Sequence, residues 1–152
     1  MGRVAVVTGG SRGIGAAISK ALKAAGHGVS VDSADVAELR VGARAGADYL
    51  LSLTEETLAL AEETAAVPVL IPALPGDQES LVRAVEAMMR QGRPFLADPI
   101  LDPIHFGFTR SLLRYQDLRL RFPDIDMLMG TGNLTELTDA DTTGINAVLM
   151  GI

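Results

Sequence analysis

Cysteine and tryptophan are absent from the 152-residue sequence, and aromatic residues make up only 4% of it. Without cysteine the chain has neither disulfides nor thiolate chemistry, and the sequence does not indicate a redox compartment. With so few rings, the core is expected to consist of aliphatic side chains. Apolar residues make up 48% of the chain and charged residues 21%, an ordinary composition for a folded protein. The length suits a single domain, which we predict over residues 1–152.

Positive charge is also scarce, with 13 Lys and Arg against 19 Asp and Glu and a formal net charge of −6. Nucleic-acid binding needs a basic surface, so we predict no nucleic-acid partner. Four arginines of one predicted helix are interpreted as a solvated face: Arg110, Arg114, Arg119 and Arg121. Neither of the two histidines has a second histidine at ligand spacing, so we predict no metal site.

Long apolar runs are missing too. No run approaches the ~20 residues of a membrane-spanning helix. The N-terminus shows no signal-peptide pattern, because Arg3 is followed by a short apolar run and then by glycines. The sequence therefore predicts a soluble, cytoplasmic protein that has no membrane partner.

Short apolar runs alternate with amphipathic stretches along the chain. The runs predict six strands, at 3–8, 29–32, 49–53, 67–72, 94–98 and 126–130. The stretches between them predict six helices, at 14–25, 34–45, 55–65, 78–91, 110–122 and 140–150. Three residues are predicted helix N-caps: Ser33, Thr54 and Asp77. Three glycines are predicted to end helices: Gly26, Gly46 and Gly92.

This alternation predicts an α/β fold of about six βα units around a mainly parallel sheet. Consecutive barrel units would place every helix on one side and leave the other apolar face uncovered. A doubly wound, Rossmann-like sheet covers both faces within one chain, so we favour it. The alternative is a partial TIM-type (βα) barrel, which would bury its open face and edge strands in a homodimer.

The first predicted strand runs into a glycine-rich turn and then a helix. Residues 8–15 read Thr-Gly-Gly-Ser-Arg-Gly-Ile-Gly. Glycines let the backbone approach a pyrophosphate closely, and the free N–H groups of the first helical turn face the anion. Asp32 follows at the end of the second strand, near the offset of an acid that binds an adenosine ribose. The turn predicts a phosphate site, and a tight βα turn without a ligand is the other interpretation.

The segment 2–26 resembles the opening of the short-chain dehydrogenase/reductases of the acetoacetyl-CoA reductase type. This resemblance implies weak binding of NAD or NADP by Gly9, Ser11, Arg12, Gly13, Ile14 and Gly15, with Asp32 at the ribose. It covers about the first 27 residues. The family's Asn-Asn-Ala-Gly stretch and Tyr-x-x-x-Lys motif are absent, and Tyr115 is followed four positions later by Arg119. A guanidinium cannot replace the lysine that tunes a catalytic tyrosine.

From about residue 28 onward the sequence resembles an interior piece of a dihydropteroate synthase-like (βα)8 barrel. Four segments carry this resemblance: Val-Ser-Val-Asp-Ser at 29–33, Ala-Gly-Ala-Asp at 45–48, Ala-Asp-Pro at 97–99 and Phe-Gly-Phe at 106–108. The resemblance implies that Asp32 and Asp98 bind the amino and ring N–H groups of a pterin.

Neither resemblance supplies a complete catalytic set. The barrel family's asparagine after strand three falls near Leu51 and Ser52, and its Ser-Arg-Lys triplet is replaced by residues 132–134, Gly-Asn-Leu. The two resemblances meet at 23–29, where we place the fusion point of an engineered or recombined chimera. We therefore predict a chimera that has no complete active site and binds a phosphate or dinucleotide weakly. The alternatives are a nicotinamide-dependent oxidoreductase and a pterin-binding barrel enzyme, so enzymatic activity stays an open question.

Overall fold

A computed structural model describes residues 4–8, 13–138 and 142–149. Five parallel strands form one sheet: β1 (Val4–Thr8), β2 (Gly28–Asp32), β3 (Tyr49–Leu53), β4 (Val67–Leu70) and β5 (Leu96–Ala97). The helices between them are α1 (Gly13–Ala24), α2 (Val36–Arg44), α3 (Ala59–Glu62) and α4 (Gln78–Gln91). After β5 come α5 (Phe108–Arg121), a 3-10 helix (Thr131–Thr135) and α6 (Thr142–Leu149). The predicted α/β, Rossmann-like alternation of parallel strands and helices is confirmed.

The strands lie across the sheet in chain order, β1-β2-β3-β4-β5. A doubly wound sheet reverses its strand order at a switch point. The described strands show no such reversal, so the doubly wound detail of the prediction is corrected. The physical reason is that consecutive right-handed crossovers add each new strand on the same side of the previous one. Sequential order is the order that the partial-barrel alternative predicts, and the homodimer stays a prediction.

The main core lies between the sheet and the helices. Val31, Leu50 and Leu70 of the strands cluster with Leu81 and Met88 of α4, and each of the five is at most 3% exposed. A second cluster joins the chain after β5 to the last helix: Leu101, Tyr115, Leu134 and Leu149. In the ranges that the structure describes, no helix combines the length and apolarity needed to cross a bilayer.

Helix ends agree with the sequence patterns except at α2 and at α3, whose N-cap is Leu58 without a side-chain hydrogen bond and not the predicted Thr54. The side chain of Asp77 caps α4 as predicted, by accepting a hydrogen bond from Ser80 N. The N-cap of α2 is Asp35, which accepts from Ala37 N, and not the predicted Ser33. Ser33 instead accepts from Asp35 N, in the turn before the helix. The three predicted helix-ending glycines have φ values of 80°, 90° and 66°: Gly26, Gly46 and Gly92.

Three predicted elements are much shorter than expected, and one of them is the strand predicted at 94–98, of which only the two residues of β5 form. The helix predicted at 55–65 is only α3, because threonines on both sides form local hydrogen bonds that compete with a helix. Thr57 Oγ1 accepts from Thr54 N before α3, and Thr64 Oγ1 accepts from Ala66 N after it. The strand predicted at 126–130 contributes one parallel bridge between Met127 and β5, since the chain soon turns into the 3-10 helix.

Candidate functional site

The carboxyl ends of β2, β3 and β5 open on one cavity of about 250 Å³. In parallel α/β proteins this edge of the sheet is where ligands bind. The apolar residues of the wall are Leu51, Val69, Ile71, Ile100 and Leu128. The polar side chains of the wall are Asp32, Ser52, Asp98 and Asn133. Two carboxylates therefore share a small, mostly apolar space, and none of these described lining residues is cationic.

Asp32 is the last residue of β2, and the strand register places it beside Thr8 of β1 and Leu51 of β3. The hydroxyl of Ser52 donates a hydrogen bond to Asp32 Oδ1 at 2.7 Å. The barrel resemblance treats the position of Ser52 as a departure from an expected asparagine. In the structure, that position still supplies a donor that holds the carboxylate.

Asp98 directly follows β5 and accepts two hydrogen bonds on the same oxygen. The hydroxyl of Tyr115 donates to Asp98 Oδ1 at 2.6 Å, and the N–H of Ile100 donates to it at 2.8 Å. Burial raises the pKa of the Asp98 carboxyl, whereas these two hydrogen bonds and the charge of Arg114 act in the opposite direction. Burial, the Asp98 charge and the hydrogen bond to Asp98 raise the pKa of the Tyr115 phenol. Tyr115 is therefore the donor of this pair.

Within the described residues, each of the two carboxylates accepts hydrogen bonds on one oxygen only. Among the described residues, no donor reaches the second oxygen, Oδ2, of Asp32 or of Asp98. Carboxylate oxygens only accept hydrogen bonds, so the cavity offers acceptors to a ligand that carries N–H or O–H donors. Within the described ranges, no three His, Cys, Asp or Glu side chains come together as metal ligands.

The backbone is strained at two residues of the cavity wall. Ser52 and Ile100 have φ values of 67° and 66°, in the left-handed region that glycine favours. For a β-branched residue such as Ile100 this is a rare conformation. Each such residue costs about 1–3 kcal/mol and persists only where its surroundings hold it, which is typical of ligand sites.

The loop after β5 is held by Arg114 of α5. Its guanidinium donates to the carbonyls of Pro99 and Ile100 and, at 2.8 Å, to Asp102 Oδ2. The side chain of Arg114 is 17% exposed. The interpretation of Arg114 as part of a solvated face is therefore wrong, because its donors satisfy the loop next to Asp98.

The glycine-rich turn lies largely outside the described residues, which include neither Gly9 nor Ser11 nor Arg12. The described part begins with α1 at Gly13, and the side chain of Ile14 is 81% exposed. Gly15 O accepts from Ser19 Oγ inside the helix. The predicted phosphate site at residues 9–15 therefore stays a prediction. Tyr115 and Arg114 are the site residues that the sequence reasoning missed.

Comparison with known proteins gives one long match and several short ones. No family model matches the chain. An uncharacterized protein of Methanocaldococcus jannaschii is 29% identical over 142 residues, which cover 82% of this chain and 27% of that protein. The chain therefore spans about a quarter of the length of this relative. The dihydropteroate synthase resemblance stays a prediction.

The short matches are to acetoacetyl-CoA reductases. The enzymes of Shinella zoogloeoides and Paracoccus denitrificans are 74% and 71% identical over 34 residues, which cover 22% of this chain and 14% of each enzyme. The TT0495 protein of Thermus thermophilus superimposes with a TM-score of 0.41 and 22% identity, over 84% of this chain and 70% of that protein. The chain is thus similar to acetoacetyl-CoA reductases over a short segment and to an uncharacterized archaeal protein over most of its length.

Proposed function

We propose that this chain binds a small planar nitrogen heterocycle of the pterin class at the carboxyl edge of its sheet. The observation that carries the proposal is the placement of Asp32 and Asp98 in one cavity. Each carboxylate is held through Oδ1, and no donor among the described residues reaches its Oδ2. A 2-amino-4-oxopteridine presents an amino group and ring N–H groups along its edge, and carboxylates are the natural acceptors for such donors.

The size and polarity of the cavity support a ligand of this kind. Its volume of about 250 Å³ lies below the range of ~300–1,000 Å³ that drug-sized ligands occupy. Val69 and Leu128 are among the apolar residues of the wall, and Asn133 adds an amide that can donate and accept. A compact bicyclic ring with polar groups on its edge matches this combination.

The proposal is one of binding, with no reaction assigned to the site. The resemblance places a Ser-Arg-Lys triplet after strand six, and this chain has Gly-Asn-Leu at 132–134. No lysine or arginine belongs to the described cavity wall. Nothing in that wall therefore stabilises the negative charge of an anionic leaving group.

We expect replacement of Asp98 by asparagine to weaken pterin binding by about 10- to 100-fold, because a charged hydrogen bond is worth about 1.5–3 kcal/mol. Asparagine keeps an oxygen that can accept from Tyr115 and Ile100, so D98N should stay folded. Calorimetric titration of pterin into wild type and D98N measures the change. D124N, at an exposed aspartate, is the charge-matched control and should bind as the wild type does.

A second ligand sharpens this test. Lumazine has the same two rings with a carbonyl oxygen in place of the 2-amino group, so an acceptor stands where pterin has its amino donor, and N1 carries a hydrogen instead. We expect lumazine to bind at least 10-fold more weakly than pterin. Equal affinity of wild type and D98N for pterin would contradict the proposal.

A second candidate function is weak binding of a nicotinamide dinucleotide at the glycine-rich turn. The 34-residue match to acetoacetyl-CoA reductases favours it. The strand register also supports it, because Asp32 lies beside Thr8, the last residue before the turn. In this reading Asp32 accepts hydrogen bonds from the adenosine ribose and repels a 2′-phosphate.

For this candidate we expect NAD to bind more tightly than NADP, with both affinities weak. Asp32→Ala should remove the preference, and Gly13→Val should abolish binding because a branched side chain fills the space of the phosphate. Calorimetric titration of both cofactors is the measurement, with Asp124→Ala as the control. Equal affinities that Asp32→Ala leaves unchanged would rule out this site.

We further propose that the chain joins segments of two origins near residues 23–29. The two kinds of match, covering 22% and 82% of the chain, are compatible with such a junction. A cavity of about 120 Å³ lies where α1, β2 and α2 meet, lined by alanines together with Lys20, Lys23 and valines of β2 and α2. A gap at this boundary is compatible with such a junction.

A further inference from the structure

Tyr115 reaches the proposed site from the helix side. Its side chain is 8% exposed, and its hydroxyl donates to Asp98 Oδ1 at 2.6 Å. Buried hydroxyls require a hydrogen-bond partner. The partner here is a carboxylate of the cavity wall, so this helix residue contacts the group that would meet the ligand.

Two donors on one oxygen restrict how the Asp98 carboxylate can rotate. Ile100 N donates to the same Oδ1 at 2.8 Å from within the loop, whereas Tyr115 donates from α5. With Oδ1 held from two sides, Oδ2 is the atom of Asp98 left for a ligand in the cavity.

The loop that carries Ile100 is fixed by the neighbour of Tyr115 in α5. Arg114 donates to the carbonyls of Pro99 and Ile100. These hydrogen bonds end on the segment in which Ile100 has the left-handed conformation, with a φ of 66°. One turn of α5 therefore supplies both the direct donor to Asp98 and the support for the second donor.

We propose that Tyr115 is a positioning residue for ligand binding, holding Asp98 Oδ1 so that Oδ2 meets an N–H donor of the ligand. This inference rests on the proposed function, since it assumes a donor-bearing heterocycle in the cavity. Tyr115 does not line the cavity of Asp32 and Asp98, so it acts through Asp98 and not by touching the ligand.

The charges around Asp98 determine how this binding depends on pH. Burial raises its pKa, and Tyr115 and Arg114 lower it. The other acidic groups nearby are Asp32, in the same cavity, and Asp102, which acts on Tyr115. A ligand donor needs the ionised carboxylate, so binding weakens as the pH falls through the pKa of Asp98. Without the Tyr115 hydroxyl that pKa rises further, and the loss of binding begins at a higher pH.

The test is Tyr115→Phe, titrated with pterin by calorimetry between about pH 4.5 and pH 7, where the ring N–H of pterin stays protonated. We expect affinity to fall about 3- to 10-fold at neutral pH, which is the usual contribution of one hydrogen bond, and to fall more at acidic pH. Tyr49→Phe is the matched control. Tyr49 is half-buried, and its hydroxyl forms no hydrogen bond with the described residues. Its removal should leave the whole pH profile unchanged.

A titration of the Asp98 carboxyl by 13C NMR, without ligand, separates the two proposals. If the wild type binds no pterin, the proposed function fails, and the NMR titration alone decides the role of Tyr115. A higher pKa of Asp98 in Tyr115→Phe then supports positioning, and an unchanged pKa overturns it. If the wild type does bind pterin, a uniform loss of affinity at every pH, or no loss, overturns it as well.

Discussion

Replacing Arg114 with alanine is expected to lower the free energy of unfolding by about 2–4 kcal/mol. The guanidinium donates to two backbone carbonyls and to Asp102 Oδ2, and its side chain is 17% exposed. Alanine would leave the two carbonyls without this donor, and it would leave Asp102 Oδ2, on a carboxylate that is only a third exposed, with the hydroxyl of Ser111 alone. Urea denaturation followed by circular dichroism gives the change in stability.

Arg110→Ala is the matched control for this prediction. Arg110 lies one turn earlier on the same helix and is exposed. Its removal should change the stability by less than about 0.5 kcal/mol. Similar losses for the two variants would show that the hydrogen bonds of Arg114 contribute little and that α5 has a solvated arginine face, as the sequence pattern indicates.

Leu70→Ala should destabilise the fold by about 3–5 kcal/mol, the upper part of the range for buried leucines. Leu70 is fully buried in β4, and its register partners are Leu53 of β3 and Ala97 of β5. The sheet fixes the backbone on both sides, so the cavity left by the side chain cannot collapse. Thermal and urea unfolding both measure the loss, which is large against the total stability of ~5–15 kcal/mol of a typical domain.

Leu120→Ala is the control, because it makes the same leucine-to-alanine change at a helix residue that is 72% exposed. Its loss should stay below about 0.5 kcal/mol. A small effect at Leu70 would mean that the sheet relaxes around the deleted side chain, contrary to the tight packing of the core cluster.

Much of the sheet is predictable from the sequence because its strands are short aliphatic runs. The strands β1 to β4 match predicted runs to within one residue at their start, and α4 occupies 78–91 as its pattern and its Asp77 cap predict. The helix at 55–65 could not be predicted correctly, because threonine hydroxyls formed turns that a hydrophobic pattern does not reveal. The order of the strands in the sheet could not be predicted from the hydrophobic pattern either. A doubly wound sheet and a partial barrel have the same alternation of strands and helices along the chain.

The candidate site, too, could be predicted only in part from the sequence. Asp32 and Asp98 are the last residues of predicted strands, so their position at one edge of the sheet could be expected. Tyr115 could not be assigned, since its hydrogen bond to Asp98 spans 17 residues and depends on how α5 packs. The helical pattern predicts that residue 115 is buried, but it does not predict which side chain accepts the hydrogen bond of the Tyr115 hydroxyl.

Sequential strand order makes the sheet a nearly one-dimensional array, in which each unit interacts mainly with the unit before and the unit after it. The helix α1 packs on β1 and β2, and α2 packs on β2 and β3. In such arrays the total stability is close to a sum of unit energies and nearest-neighbour interfaces. Exchanging the terminal β1–α1 unit therefore disturbs a single boundary, that with β2 and α2. The array can accept a foreign end unit while the interior strands keep their mutual contacts.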